Sequence, residues 1–130
     1  MPAAENERIV GRIFDAFERK EGLALRGLFD EEAVWSVPGR GVMAGTYRGR
    51  EAIFRFLAKL PKETGGTYRS ELIDVLASED RAAALYRAHG TRHGRALELE
   101  QVLLFRIEDG LVRDVLALPS DPDAFEAFWA

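Results

Sequence analysis

Apolar residues recur at Ile9, Ile13 and Phe17, with Val10 and Phe14 beside them, along a stretch running from Glu5 to Lys20. That spacing gathers them on one stripe and predicts an amphipathic helix packed by that face. Glycine at position 22 suits a helix end, and Leu25, Leu28 and Phe29 then predict a shorter second helix. A brief strand is predicted from Ala33 to Val37. The next stretch, from Pro38 to Gly49, holds four glycines and a proline and predicts a long loop. Ile53, Phe56, Leu57 and Leu60 fall at i, i+3, i+4 and i+7, so a third helix follows, with Pro61 ending the pattern.

From Thr67 the pattern changes to strand-like runs separated by turn signals at Ser78-Glu79-Asp80, His93-Gly94 and Glu108-Asp109-Gly110, which predict an antiparallel meander. Helices first and strands afterwards argue for an α+β fold with segregated layers. Asp121-Pro122-Asp123 then supplies a cap and a proline at a first helical position, and Phe125, Phe128 and Trp129 share one face of a short lid helix.

A two-residue turn at His93-Gly94 assigns every side chain of its hairpin to a face. Arg87 then stands opposite Glu100, His89 opposite Glu98, Tyr86 opposite Gln101 and Ala88 opposite Leu99. The charged pairs fall on one face, and Ala84, Leu99, Leu103 and Phe105 on the other. For the next hairpin, a two-residue Asp109-Gly110 turn sets Arg106 against Arg113. A three-residue loop with Gly110 in the left-handed position avoids that clash and sets Leu103 against Val115. On this reading the apolar face carries Tyr86, Gln101, Leu103, Arg113, Val115 and Ala117.

The chain has 130 residues, 47% hydrophobic and 31% charged, which suits one domain over residues 1–130. It contains no cysteine, which excludes thiol nucleophiles, iron–sulfur clusters and cysteine zinc sites and fits a reducing compartment. With only His89 and His93 besides, no metal centre and no cofactor are expected. The formal net charge of −4 is spread without a basic stripe, so nucleic acid is not an expected partner. The N-terminus has no basic flank followed by an apolar run, and no stretch is long enough to span a membrane. The expected location is cytoplasmic, without a membrane partner.

The order of elements, with Phe14-Asp15-Ala16-Phe17, the Ala33-to-Gly39 stretch, Gly45-Thr46-Tyr47-Arg48-Gly49-Arg50-Glu51-Ala52-Ile53 and Phe105-Arg106-Ile107-Glu108-Asp109-Gly110-Leu111-Val112, resembles the nuclear transport factor 2-like fold, most closely its SnoaL-like branch. The resemblance covers nearly the whole chain and implies a cone: a curved antiparallel sheet packed against N-terminal helices, with a pocket between them, often in a homodimer. It says less about chemistry, because the fold hosts isomerases, cyclases, dehydratases and non-catalytic carriers. The carboxylate base and the tyrosine and aspartic acid of a ketosteroid isomerase would fall at Ser36, Ile13 and Leu103. The histidine and aspartate of SnoaL-type cyclases would fall at Val115 and Ala117. None of the five residues here can perform those tasks, so the catalytic residues are unassigned.

The candidate pocket-lining set is Trp35, Ser36, Tyr47, Tyr86, Gln101, Leu103, Arg113 and Val115. Trp35 and Tyr47 flank the glycine-rich loop, where lining a pocket mouth and anchoring a loop are equally good readings. Tyr86 and Gln101 either orient a ligand or bond to each other within the sheet, the second reading being favoured. Arg113 binds an anion or, on the favoured reading, extends to solvent. The faces of Glu71 and Asp74 are not assigned by the pattern. On the other sheet face Leu85, Val102, Leu104 and Leu116 mix with Arg87, Glu98, Glu100 and Asp114, and a homodimer through this face is expected. Two functions follow: cofactor-free isomerisation, cyclisation or dehydration of a small apolar cyclic or carbonyl compound, or non-catalytic binding or assembly by the same cone.

Overall fold

The computed structural model describes residues 2–130. The N-terminal helices are α1 (Ala3–Glu18) and α2 (Gly22–Arg26), followed by strand β1 (Phe29–Val37), hairpin partner β2 (Gly45–Arg48) and helix α3 (Arg50–Glu63). Strands β3 (Arg69–Ala77), β4 (Arg81–Arg92), β5 (Arg95–Glu108) and β6 (Leu111–Pro119) form the meander, and α4 (Pro122–Trp129) closes the chain. The six strands make one sheet in the order β2-β1-β6-β5-β4-β3.

Most neighbours are antiparallel, but β1 lies parallel to β6, so the sheet is mixed rather than wholly antiparallel. The meander ends at β6 with an unpaired edge. The strand from the helical half covers it, the Val112 N–H donating to the Leu28 carbonyl at 2.9 Å. Phe29 consequently opens β1 instead of closing the second helix, which stops at Arg26 before Gly27. The glycine-rich stretch is also not all loop. Tyr47 pairs with Trp35 in β2, and its hydroxyl donates to the Met43 carbonyl at 2.8 Å, pinning the turn. Pro61 sits inside the last turn of α3, where the Thr64 hydroxyl bonds the Leu60 carbonyl at 2.7 Å and finishes the helix in place of backbone.

The β4–β5 register is the one the His93-Gly94 turn implies: Tyr86 faces Gln101, Arg87 faces Glu100 and Ala88 faces Leu99. His89 faces Glu98 in register, although the carboxylate nearest its ring belongs to Glu71, at 3.6 Å. The β5–β6 hairpin differs from expectation. Glu108 pairs with Leu111 across a two-residue Asp109-Gly110 turn, both turn residues having positive φ, and Arg113 is the extra residue of a bulge. The bulge moves Arg106 opposite Asp114, its Nε 2.5 Å from the carboxylate, and removes the Arg106–Arg113 clash that a regular ladder would create. Leu103 therefore faces Ala117, and Phe105 faces Val115.

Concave-face residues of the sheet pack against α1, α3 and α4 to form the core, with Phe29, Phe105, Ile9, Met43 and Ile53 fully enclosed. Two polar fastenings hold the layers in place. The buried Asn6 amide on α1 donates to the Ser78 and Glu79 carbonyls at 2.9 Å each, tying the helix to the β3–β4 turn. Helix α4 is gripped at both ends. Asp121 caps its start by accepting from the Ala124 N–H, and Arg92 donates to the Phe128 and Ala130 carbonyls at 3.3 and 2.7 Å while pairing with Glu63 at 3.2 Å. From the loop after β1, the Arg40 and Gly41 N–H groups donate to Glu126 at 2.9 and 3.0 Å, and the Val42 N–H to the Trp129 carbonyl at 2.8 Å. Glycine is needed at position 41, since a Cβ there would lie 2.6 Å from that Trp129 carbonyl oxygen.

Candidate ligand pocket

Between the concave face and the helices lies a cavity of about 70 Å³. Its walls come from α1 (Ile13, Phe14, Phe17), α3 (Phe56, Leu57, Leu60), the sheet (Trp35, Tyr86, Gln101, Leu103, Ala117) and α4 (Phe125, Trp129), with Leu25, Met43, Tyr68 and Ser70 among the remainder. Four lining residues keep partial exposure, Phe14, Phe17, Tyr68 and Ser70, whereas the rest are buried. They bracket the seam between α1 and the start of β3, where the lining reaches the surface. The void is about half the roughly 150 Å³ of an apolar cavity that takes up benzene, so a ligand of that size must push this seam apart. A larger but shallower groove of about 380 Å³ lies on the convex face along Val34, Ser36, Leu104, Arg106 and Leu116. Enclosure and apolar walls favour the cone as the site for a small molecule.

Of the candidate residues, the cavity brings together Trp35, Tyr86, Gln101 and Leu103. The other four lie elsewhere. Ser36 alternates out of the Ala33-Trp35-Val37 face and lies on the convex groove, so it cannot act inside the cone. Tyr47 is spent on its Met43 bond and packs its ring 4.4 Å from that of Phe56, which is the loop-anchor reading. Arg113, displaced by the bulge, pairs with Asp30 at 2.9 Å instead of entering the pocket or reaching solvent freely. Val115 is buried between its strand neighbours Trp35 and Phe105 and lines the convex groove, not the void. Three of the five positions aligned with familial reagents, Ile13, Leu103 and Ala117, do line the cavity, and all three are apolar.

The cavity wall contains no Asp, Glu, Lys, Arg or His among the described residues. Glu71 and Asp74 pair in register with Arg87 and Leu85 and so share the convex face. No group of three or more such side chains is placed to hold a metal ion among the described residues. Apart from the Trp35 and Trp129 indoles, the polar groups of the wall are gathered in one place. Gln101 Nε2 donates to the Tyr86 hydroxyl at 2.8 Å, and the Tyr68 hydroxyl interacts with both Tyr86 and Ser70. Tyr68 and Ser70 escape a simple pattern reading because Ile73 bulges out of β3 and breaks its two-residue alternation against β4. Counting back from the Ser78 turn therefore puts them on the wrong face.

Burial raises the ionisation of Tyr68 and Tyr47 above the usual 10.0 and that of Tyr86 well above it. Below pH 10 these phenols are neutral folded or unfolded and contribute no pH dependence. As pH rises past 10 the unfolded chain ionises first, so stability falls. Since the chain has three tyrosines, its phenolate absorbance is expected to stay flat through pH 10 and then rise together with loss of circular dichroism. Half-ionisation at pH 10 in an intact fold would show that none of these rings is held as described.

The profile of the SnoaL-like domain family matches residues 10–115. An uncharacterized protein of Mycobacterium tuberculosis is 31% identical over 123 residues, 94% of each chain. Among solved structures, Bal32a, from a soil-derived mobile gene cassette, superposes with a TM-score of 0.94 at 36% identity and 98% coverage of both chains. TerC, co-crystallized with polyporic acid, superposes with a TM-score of 0.82 over 95% of this chain and 97% of its own, and at 20% identity it shares the fold alone. Among the described residues no helix is long and apolar enough to cross a membrane.

Proposed function

The chain belongs to the SnoaL-like family, and on that premise we propose that its cone binds a small, uncharged, mostly apolar molecule without transforming it. The observation that carries this reading is the wall of the cavity: apolar throughout apart from Gln101, Tyr86, Tyr68, Ser70 and the Trp35 and Trp129 indoles, with every carboxylate and imidazole of the described residues outside it. An isomerase, cyclase or dehydratase needs a group that takes or gives a proton near neutral pH. Tyrosines held above their usual ionisation are too weakly acidic for that. Binding asks less, only apolar area and a few polar points. That TerC was co-crystallized with polyporic acid supports small-molecule binding by a cone of this shape.

A thermal-shift series tests the reading. Toluene, phenol and cyclohexanone at saturating concentration should raise the melting temperature, and benzoate should not, because a carboxylate in this wall would be desolvated without a partner. Stabilisation by benzoate alone, or by none of the four, would sink the proposal.

We also propose that the convex face pairs with its counterpart in a second copy. Leu116 and Leu118 are exposed there, 41% and 43%, beside half-buried Leu85, Val102 and Leu104 and the ion pairs Arg87–Glu100 and Arg106–Asp114. A face carrying both signs of charge around an apolar centre is complementary to itself under two-fold rotation. Sedimentation at micromolar concentration should give twice the chain mass, reverting to one chain mass in L116E. A strictly monomeric wild type would exclude this interface.

A further inference from the structure

Gln101 occupies a position where β5 otherwise presents only apolar side chains to the cone, Leu99, Leu103 and Phe105. It is 5% exposed, and among the described residues its amide has one partner, the Tyr86 hydroxyl, while Oε1 has none. A buried amide with one end unpaired is costly, and leucine would fill the place without that cost. Tyr86 is equally enclosed, its ring edge-on to Phe14 at a centroid distance of 5.3 Å. The two can exchange roles. With the amide nitrogen donating to the phenol, the free end of Gln101 is an acceptor. With the amide turned and the phenol donating to its oxygen, the free end is an N–H donor. The pair therefore offers a ligand whichever partner the ligand lacks. Its location also matters, because the partly exposed Tyr68 and Ser70 line the cavity beside Tyr86 at the seam by which a ligand would enter.

Resting on the binding function proposed above, we infer that Gln101 and Tyr86 form a reversible hydrogen-bonding point that selects neutral ligands bearing one hydroxyl or one carbonyl group, the apolar body lying along Leu57, Leu103 and Ala117. Hydroxyl and carbonyl compounds of one skeleton should thus bind alike, the amide turning to suit each. A ligand with no polar atom leaves Gln101 unpaired, and a charged one finds no counter-ion.

Four probes of one ring size separate these cases: cyclohexanol, cyclohexanone, methylcyclohexane and cyclohexanecarboxylate, titrated into the wild type and Q101L by protein-observed NMR. In the wild type, cyclohexanol and cyclohexanone should have dissociation constants within about threefold of each other, with the carboxylate not binding. In Q101L both should weaken by about tenfold relative to methylcyclohexane, the size of one net hydrogen bond. Equal ranking of the probes by the two proteins, or a wild-type preference for the carboxylate, would overturn the assignment. If no probe moves the wild-type spectrum, the binding function fails with it, which is a different result from binding without preference. Should Q101L not fold, Q101M carries the same comparison.

Discussion

Replacing Arg92 with alanine should cost about 3 kcal/mol of stability, the size expected when one member of a buried ion pair is removed. The effect is large because one guanidinium serves three acceptors, the Glu63 carboxylate and the Phe128 and Ala130 carbonyls, from a nearly enclosed position, its side chain being 7% exposed. It joins Glu63 at the end of α3 to the last carbonyls of α4, and without it Glu63 and the Phe128 carbonyl lose their donor together. Phe125 and Trp129 line the cavity from α4, so the loss should spread to the pocket and weaken ligand binding in proportion. Chemical denaturation with and without toluene measures both. R92K should recover only part of the loss, because an ammonium lacks the fork that reaches carboxylate and carbonyls at once. A change below about 1 kcal/mol would mean that α4 is held by its aromatic face and the loop contacts of Arg40, Gly41 and Val42, without Arg92.

Filling the cavity should do the opposite, removing binding while sparing the fold. Ala117 lies on the β6 wall opposite Leu103 and is buried, so A117L projects three further carbons into the void of about 70 Å³. Binding of toluene or cyclohexanone should fall by more than about tenfold, while stability changes by no more than about 1.5 kcal/mol, since the added atoms occupy space rather than displacing packed neighbours. Calorimetric titration beside a denaturation curve separates the two effects. Unchanged affinity in a well-folded A117L would place the ligand elsewhere.

Residues whose neighbours are local are legible in the sequence. Ile9, Ile13 and Phe17 declare α1 by spacing, and His93-Gly94 sets the β4–β5 ladder because both residues take positive φ, which a two-residue hairpin requires. That ladder alone put Gln101 beside Tyr86. Long-range and irregular features were not legible. The parallel pairing of β1 with β6 depends on which strand edge remains open once the meander has formed, and that is a property of the assembled sheet. The bulges at Ile73 and Arg113 break the two-residue alternation, so the pattern does not bring Tyr68 and Ser70 to the cone face and places Arg113 on a face that it leaves. In the second case the ion pairs Arg106–Asp114 and Arg113–Asp30 favour the irregular register, and Asp30 is remote in sequence.

The small molecule should sit inside the cone rather than in the larger groove on the convex face. Intermolecular nuclear Overhauser effects between bound toluene and assigned methyl groups test it directly. Contacts are expected to the methyls of Leu57, Leu103 and Ala117, which line the cavity, and none to those of Val34, Leu104 and Leu116 on the groove. Contacts to the second set and none to the first would contradict it.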